Sequence, residues 1–174
     1  FNVDPDEREL YEIYLPQFER VVREGGVAGV MSAYNAVYGV PCSASELLLD
    51  ELVRTKWGFE GYIVSDCSAI NDIWNTRAHA YVKTAEEAAA IAVKAGCDLC
   101  CGSEYNALVN AVQANLLTEK DINRALYYTL WTRFRLGLFD PVDAVPFNKY
   151  TVAERNDTPE HGKVALEIAR QSLV

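Results

Sequence analysis

The sequence offers little that a membrane or a nucleic acid could hold. In its 174 residues no apolar run approaches the roughly 18 residues that a membrane span needs. Lys and Arg total 16 against 25 Asp and Glu, a formal net charge of −9. Phosphate backbones and anionic headgroups are bound through Lys and Arg, so neither nucleic acid nor membrane is an expected partner. No Gly-rich loop runs into a helix start in the pattern that cradles phosphates, and no internal repeat or low-complexity tract is present. The five cysteines are an odd number without zinc-site spacing, which excludes a full disulfide framework and leaves at most two bridges and one free thiol. Cys97, Cys100 and Cys101 with His79 do not make a metal cage, because neighbours 100 and 101 point to opposite sides of a strand. His79 is read as a satisfied structural histidine, and neither metal nor cofactor is expected.

What is present suits a globular α/β chain. Half the residues are hydrophobic and 24% are charged, ordinary proportions for a packed domain long enough to bury a sizeable core. The organising stretch is Gly61-Tyr62-Ile63-Val64-Ser65-Asp66-Cys67. A short apolar run bounded by turn signals reads as a strand buried on both faces, the pattern of a parallel sheet. Functional groups of parallel α/β folds stand at the carboxyl ends of the strands, and Asp66 occupies that place. Two readings are open for it: a carboxylate facing a cleft, or a cap on the following turn.

Taken in order, the pattern predicts a helix over residues 5–24, capped by Asp4 and carrying Leu10, Ile13, Tyr14, Phe18, Val21 and Val22 as its apolar stripe, with Pro16 a kink point. A strand over 27–31 leads to an exit bearing Tyr34 and Asn35, then a loop over 38–42. A second helix over 44–56 is capped by Ser43 or Ser45. After Asp66 comes a long polar loop through Trp74, Arg77 and His79. A helix over 84–95 starts in a capping box, Thr84 with Glu87. A short strand lies within 96–102, helices over 105–115 and 119–136, a linker over 137–148, and a last helix after Thr158. Helix and strand alternating over short connections predict right-handed βαβ units and a parallel sheet. Three strands suit the final part of a (β/α)8 barrel, and both ends are expected to be cut from a longer chain. The uncovered apolar faces and open sheet edges of such a piece predict association unless partners cover them.

The ordered set Val30-Met31-Ser32-Ala33-Tyr34-Asn35, Gly39-Val40-Pro41, Leu48 to Leu52, Trp57-Gly58-Phe59-x-Gly61-Tyr62-Ile63-Val64-Ser65-Asp66 and Ala95-Gly96-x-Asp98-Leu99 resembles glycoside hydrolase family 3. Leu117-Thr118-Glu119-x-Asp121-Ile122, followed by Arg133-Phe134-Arg135-Leu136-Gly137-Leu138-Phe139-Asp140, is similar to that family's barrel exit. The resemblance covers nearly the whole chain. It implies an α/β fold, the last three or so units of a (β/α)8 TIM barrel over residues 1–140, with 141–174 a linker and first helix toward an absent second α/β domain.

In function, the resemblance implies part of a retaining β-glycosidase, with Asp66 as nucleophile and a second carboxylate about 5–5.5 Å away as acid/base. Tyr34 and Met31 match the strand exit that lines the terminal-sugar pocket; the plainer reading of Tyr34 is a core tyrosine with a satisfied hydroxyl. Cys67 departs from the Trp usual after the nucleophile in the family's β-glucosidases and agrees with the Cys common in its β-xylosidases, where it can bridge to a Cys after the next strand. Cys101 matches that partner position, and two buried free thiols are the alternative. The expected substrate is therefore a xylo-oligosaccharide or other β-glycoside, with β-glucosidase activity as the alternative. The family's Lys-His pair, its sugar-binding Asp and Arg and its acid/base Glu have no match here, so activity needs the rest of the barrel and the second domain. A non-catalytic sugar-binding or split-barrel assembly piece is the reading from a different class.

Overall fold

The computed structural model describes residues 1–173. Its strands are β1 (Asn2–Val3), β2 (Gly29–Met31), β3 (Ala36–Val37), β4 (Val40–Pro41) and β5 (Tyr62–Val64). Its α-helices are α1 (Glu7–Glu9), α2 (Pro16–Arg23), α3 (Ala69–Trp74), α4 (Ala85–Ala95), α5 (Leu108–Gln113), α6 (Glu119–Arg135), α7 (Val152–Arg155) and α8 (Pro159–Ser172). The chain divides into two compact units, residues 1–132 and residues from 133 on. Among the described residues no helix is long and apolar enough to cross a membrane.

In the first unit, β2 and β5 run parallel, with Gly29 opposite Tyr62 and Met31 opposite Val64. Leu99 adds a parallel bridge to Val64. Successive parallel segments separated by helical crossovers define an α/β chain. The strand expected within 96–102 is reduced to that one bridge because a side chain replaces part of its ladder. The Asp98 carboxylate accepts the Ile63 N–H at 2.8 Å, while the N–H groups of Asp98 and Leu99 both donate to the Ile63 carbonyl. Around Ile63, which is fully buried, pack Leu49, Leu52, Trp57, Phe59, Ile70, Ile73, Ala88, Ala92 and Cys97. The run of alanines in α4 lets that helix lie close to its helical neighbours α3 and α5. Thr84 and Glu87 form the expected reciprocal box at its start, and Gly96 ends it at φ 110°, a conformation open mainly to glycine.

Several expectations are corrected. The helix expected over 5–24 is interrupted: Pro16 has no N–H, the turn before it is a π-helix over Leu10–Tyr14, and α2 restarts with Pro16 in its first turn, where the missing donor costs nothing. Its start is capped by Asp6 in a box with Glu9, whereas Asp4 accepts from the Asn2 side chain at 2.7 Å. The residues ahead are not a helix entry but β1, parallel to β3. The loop expected over 38–42 is a hairpin, β3 antiparallel to β4, turned by Tyr38 and Gly39 at φ 53° and 77°, the two positive values a tight type I′ turn demands. The helix expected over 44–56 is a π-helix, Leu47–Lys56, and Ser45 Oγ accepts the Leu48 N–H at 3.3 Å. The polar loop expected after Asp66 contains α3, whose Ala69, Ile70 and Ile73 are buried. Of the first helix's stripe only Leu10 is buried; Tyr14, Phe18 and Val21 stay exposed beside a groove of about 870 Å³ that they share with Val30, Met31 and Leu48.

One ionic staple ties these pieces together. Arg54 on the π-helix contacts Asp98, with side chains 7% and 1% exposed. The same guanidinium donates to the carbonyls of Phe59 and Gly61 and lies 3.5 Å from the centre of the Tyr128 ring. Burial pushes the Asp98 carboxyl up to about 6, against the opposing pull of Arg54, and burial likewise lowers Arg54. Both directions say that desolvation outweighs attraction, so the pair is held because either partner alone would be worse.

The second unit is built of short, locally capped pieces. Phe134 and Phe139 pack at 4.5 Å between ring centres. Thr151 and Glu154 form a capping box on α7, and Thr158 Oγ1 accepts the His161 N–H to start α8.

Asp98→Asn keeps an acceptor for Ile63 but strands a buried guanidinium, and it is expected to cost about 3–5 kcal/mol of stability. Adding Arg54→Met should recover part of that loss. Urea unfolding of the two single variants and the double variant checks it; costs that simply add would contradict the coupling.

Candidate functional site

Three segment exits meet at the carboxyl edge of the parallel sheet. The Ser32 N–H donates to the Val64 carbonyl at 2.9 Å, and the Asp66 N–H returns to the Ser32 carbonyl at 3.2 Å, so the β2–β5 pairing runs past the strands proper. On the other side Ser65 N–H reaches the Leu99 carbonyl at 2.9 Å. Ser65 Oγ accepts the Cys101 N–H at 3.1 Å, and the Ser68 N–H donates to the Cys101 carbonyl at 2.7 Å. Beneath them the hydroxyls of Ser32 and Ser43 pair at 2.7 Å. Ser32, Ser43 and Ser65 are all buried, and these bonds satisfy their hydroxyls.

Asp66 stands on this frame, half-buried. Its Oδ1 accepts the Cys67 N–H at 2.6 Å. The turn that follows is closed by its backbone carbonyl, which accepts the Ala69 N–H at 3.0 Å, with Ser68 left-handed at φ 64°. The main chain therefore caps the turn, and the carboxylate has the Tyr34 hydroxyl as a hydrogen-bonding neighbour.

Tyr34, 46% exposed, crosses to this edge. Its hydroxyl donates to the Cys67 carbonyl at 2.6 Å. Desolvation and then the nearby Asp66 carboxylate raise its pKa above the ordinary phenol value. A disulfide joins Cys67 to Cys101, with Cα atoms 4.3 Å apart. Met31 ends β2 and is 60% exposed. The site residues expected from the sequence thus lie on adjoining exits. Asn35 is a turn residue that bonds the Ala36 carbonyl. Glu104 folds against Gly102, and its Oε2 is buried with no hydrogen-bond partner among the described residues. His79, expected as a satisfied structural histidine, has its Nε2 2.8 Å from the Tyr34 carbonyl; that partner, 45 residues away, has no local signal in the sequence. Among the described residues no three His, Cys, Asp or Glu side chains converge as a metal cage would need.

A carboxylate on the carboxyl edge of a parallel sheet, with a phenol and a clamped loop at its side, belongs to the class of α/β proteins that do chemistry at strand exits. Residues 1–129 match the model of the glycosyl hydrolase family 3 N-terminal domain, and the chain belongs to that family. It is 42% identical over 177 residues to beta-D-xylosidase 1 of Arabidopsis thaliana, covering all of this chain and 22% of that relative. Among solved structures it is similar to a family 3 exo-beta-xylosidase in complex with a xylobiose aziridine activity-based probe, at TM-score 0.84 and 30% identity over 98% of this chain and 22% of the other. It is also similar to a beta-glucosidase involved in saponin metabolism from intestinal bacteria, at TM-score 0.82 and 31% identity over 97% and 22%. The chain spans about a fifth of the length of these proteins.

Cys42, Cys97 and Cys100 are free. Burial pushes the Cys97 thiol up to about 12 and raises Cys42 and Cys100 as well, but of the three Cys100 alone is only partly covered. Because the thiolate is the reactive form, a disulfide-exchange reagent should find one accessible thiol, Cys100, in the native chain. Denaturation should expose three and added reductant all five. Rapid native labelling of Cys97 would contradict its burial.

Proposed function

We propose that this chain is the nucleophile-bearing part of a retaining β-D-xylosidase that removes terminal xylose from xylo-oligosaccharides. Residues 1–140 supply the last three or so units of a (β/α)8 barrel, and 141–174 lead toward a second α/β domain. The observation that carries the reading is the place of Asp66, half-buried at the exit of β5, with Oδ1 accepting the Cys67 N–H and the Tyr34 phenol beside the carboxylate.

In the first step an Asp66 oxygen attacks the anomeric carbon, the glycosidic bond breaks, and the leaving oxygen takes a proton from an acid supplied outside this chain. In the second, that same group deprotonates a water, the water attacks the anomeric carbon, and the bond to Asp66 breaks to regenerate the carboxylate. Tyr34 and Met31 form part of the wall for the terminal sugar. The Cys67–Cys101 bridge stands where an aromatic platform would otherwise sit and narrows the room for a hexose hydroxymethyl group, which favours xylosides. The similarity to solved β-glucosidases at nearly equal TM-score supports the second reading, a β-glucosidase.

The family-length protein carrying Asp66→Asn should lose several orders of magnitude in kcat, since the charge and the nucleophile are gone while the shape remains. A fluorinated xyloside should label one peptide, the one containing Asp66. A mass shift on Asp72 or Asp98, or near-normal turnover by the Asn variant, would sink the assignment. Faster hydrolysis of nitrophenyl glucoside than xyloside would decide for the glucosidase.

A further inference from the structure

We propose that His79 is a positioning residue for the sugar site, acting through Tyr34. The inference rests on the reading of Tyr34 as part of that site. Tyr34 is too exposed for packing to fix it, so its orientation depends on hydrogen bonds at its two ends. The hydroxyl end is held by the Cys67 carbonyl at 2.6 Å. The backbone end is held by His79, whose Nε2 lies 2.8 Å from the Tyr34 carbonyl. A carbonyl oxygen only accepts, so Nε2 carries the hydrogen and donates.

The loop that presents His79 is anchored to the core. Its own N–H donates to the Asp72 carbonyl at 3.0 Å, the Ala80 N–H to the Asn75 carbonyl at 3.2 Å, and the Tyr81 N–H to the carbonyl of fully buried Ile73 at 2.7 Å. Ala80 adopts φ 49°, a left-handed conformation that an alanine holds only against steric resistance. The turn that aims the imidazole is therefore imposed by the surrounding bonds. Because Nε2 is engaged with the Tyr34 backbone rather than with Asp66, the role assigned to His79 is to position and not to react. It transmits the position of α3 to the tyrosine beside the reacting carboxylate.

The test is a double-mutant cycle in the family-length protein, read on whichever β-glycoside it turns over. His79→Ala should lower kcat/KM about tenfold, the scale of one lost hydrogen bond to a positioned group. In a Tyr34→Phe background, which has already lost the hydroxyl tether, the same change should have little further effect. His79→Gln, whose amide nitrogen can reach the same carbonyl, should recover most of the activity. Where alanine unfolds the protein, His79→Asn, too short to reach, replaces it. Losses that multiply independently with Tyr34→Phe, or equal losses for Gln and Ala, would overturn the proposal. Labelling by the fluorinated xyloside separates the two levels. No label on Asp66 in the wild-type protein overturns the function proposed above, whereas a label acquired at the same rate with and without His79 overturns only the positioning role.

Discussion

The buried contact between Arg54 and Asp98 sets the register on which the rest of this edge depends. Asp98 takes the place of a ladder group against Ile63, and Arg54 ties that junction to the end of the π-helix and to the entry of β5 through the Phe59 and Gly61 carbonyls. From Ile63 to Asp66, and from Asp98 to Cys101, the count is three residues. Fixing the first pair thus fixes where the second emerges, because an extended chain has little slack over so short a run. Gly61 makes room for the approach: a Cβ there would run into the Ala28 carbonyl oxygen. A costly ionic contact in the interior is in this way converted into placement at the surface.

Much of this was readable in advance, and the reasons are local. β5, the capping box of α4 and the stop at Gly96 are each specified within a few residues, so pattern and chemistry agree. Asp66 could be placed because a buried run ended in a carboxylate. What escaped reading was set by distant partners. β1 owes its existence to pairing with Ala36 and Val37, far along the chain. The hairpin escaped because Tyr38 occupies a left-handed position where Asn or Asp is the usual signal. α3 was hidden because Asn71 and Asp72 interrupt a stripe whose members, Ile70 and Ile73, are invisible as a pair until both are buried. The bond from His79 to Tyr34 carries no pattern at all.

On the function proposed above, the chain supplies one wall and one carboxylate. Its strand exits are well tied to one another, while the groove beside β2 remains lined by exposed apolar side chains. A glycosidic bond needs groups on both of its faces, and on that reading those present here serve one. The chain belongs to glycosyl hydrolase family 3 and spans about a fifth of the length of the relatives compared.

The bridge between Cys67 and Cys101 has a consequence for the order of events during biosynthesis. Cys100 is adjacent to Cys101, and an unfolded chain has almost no entropic reason to close a loop to one rather than the other. Choice comes only when Leu99 has paired with Val64, because successive residues of an extended segment face opposite ways. Oxidation that precedes this pairing yields wrong isomers beside the right one, and a wrong one persists until a thiolate attacks it. The correct bond is therefore a record of the assembled sheet, whether it is reached directly or by reshuffling. It closes a 34-residue separation, a constraint that removes about 4 kcal/mol of freedom from the unfolded chain, and so preserves that record afterwards.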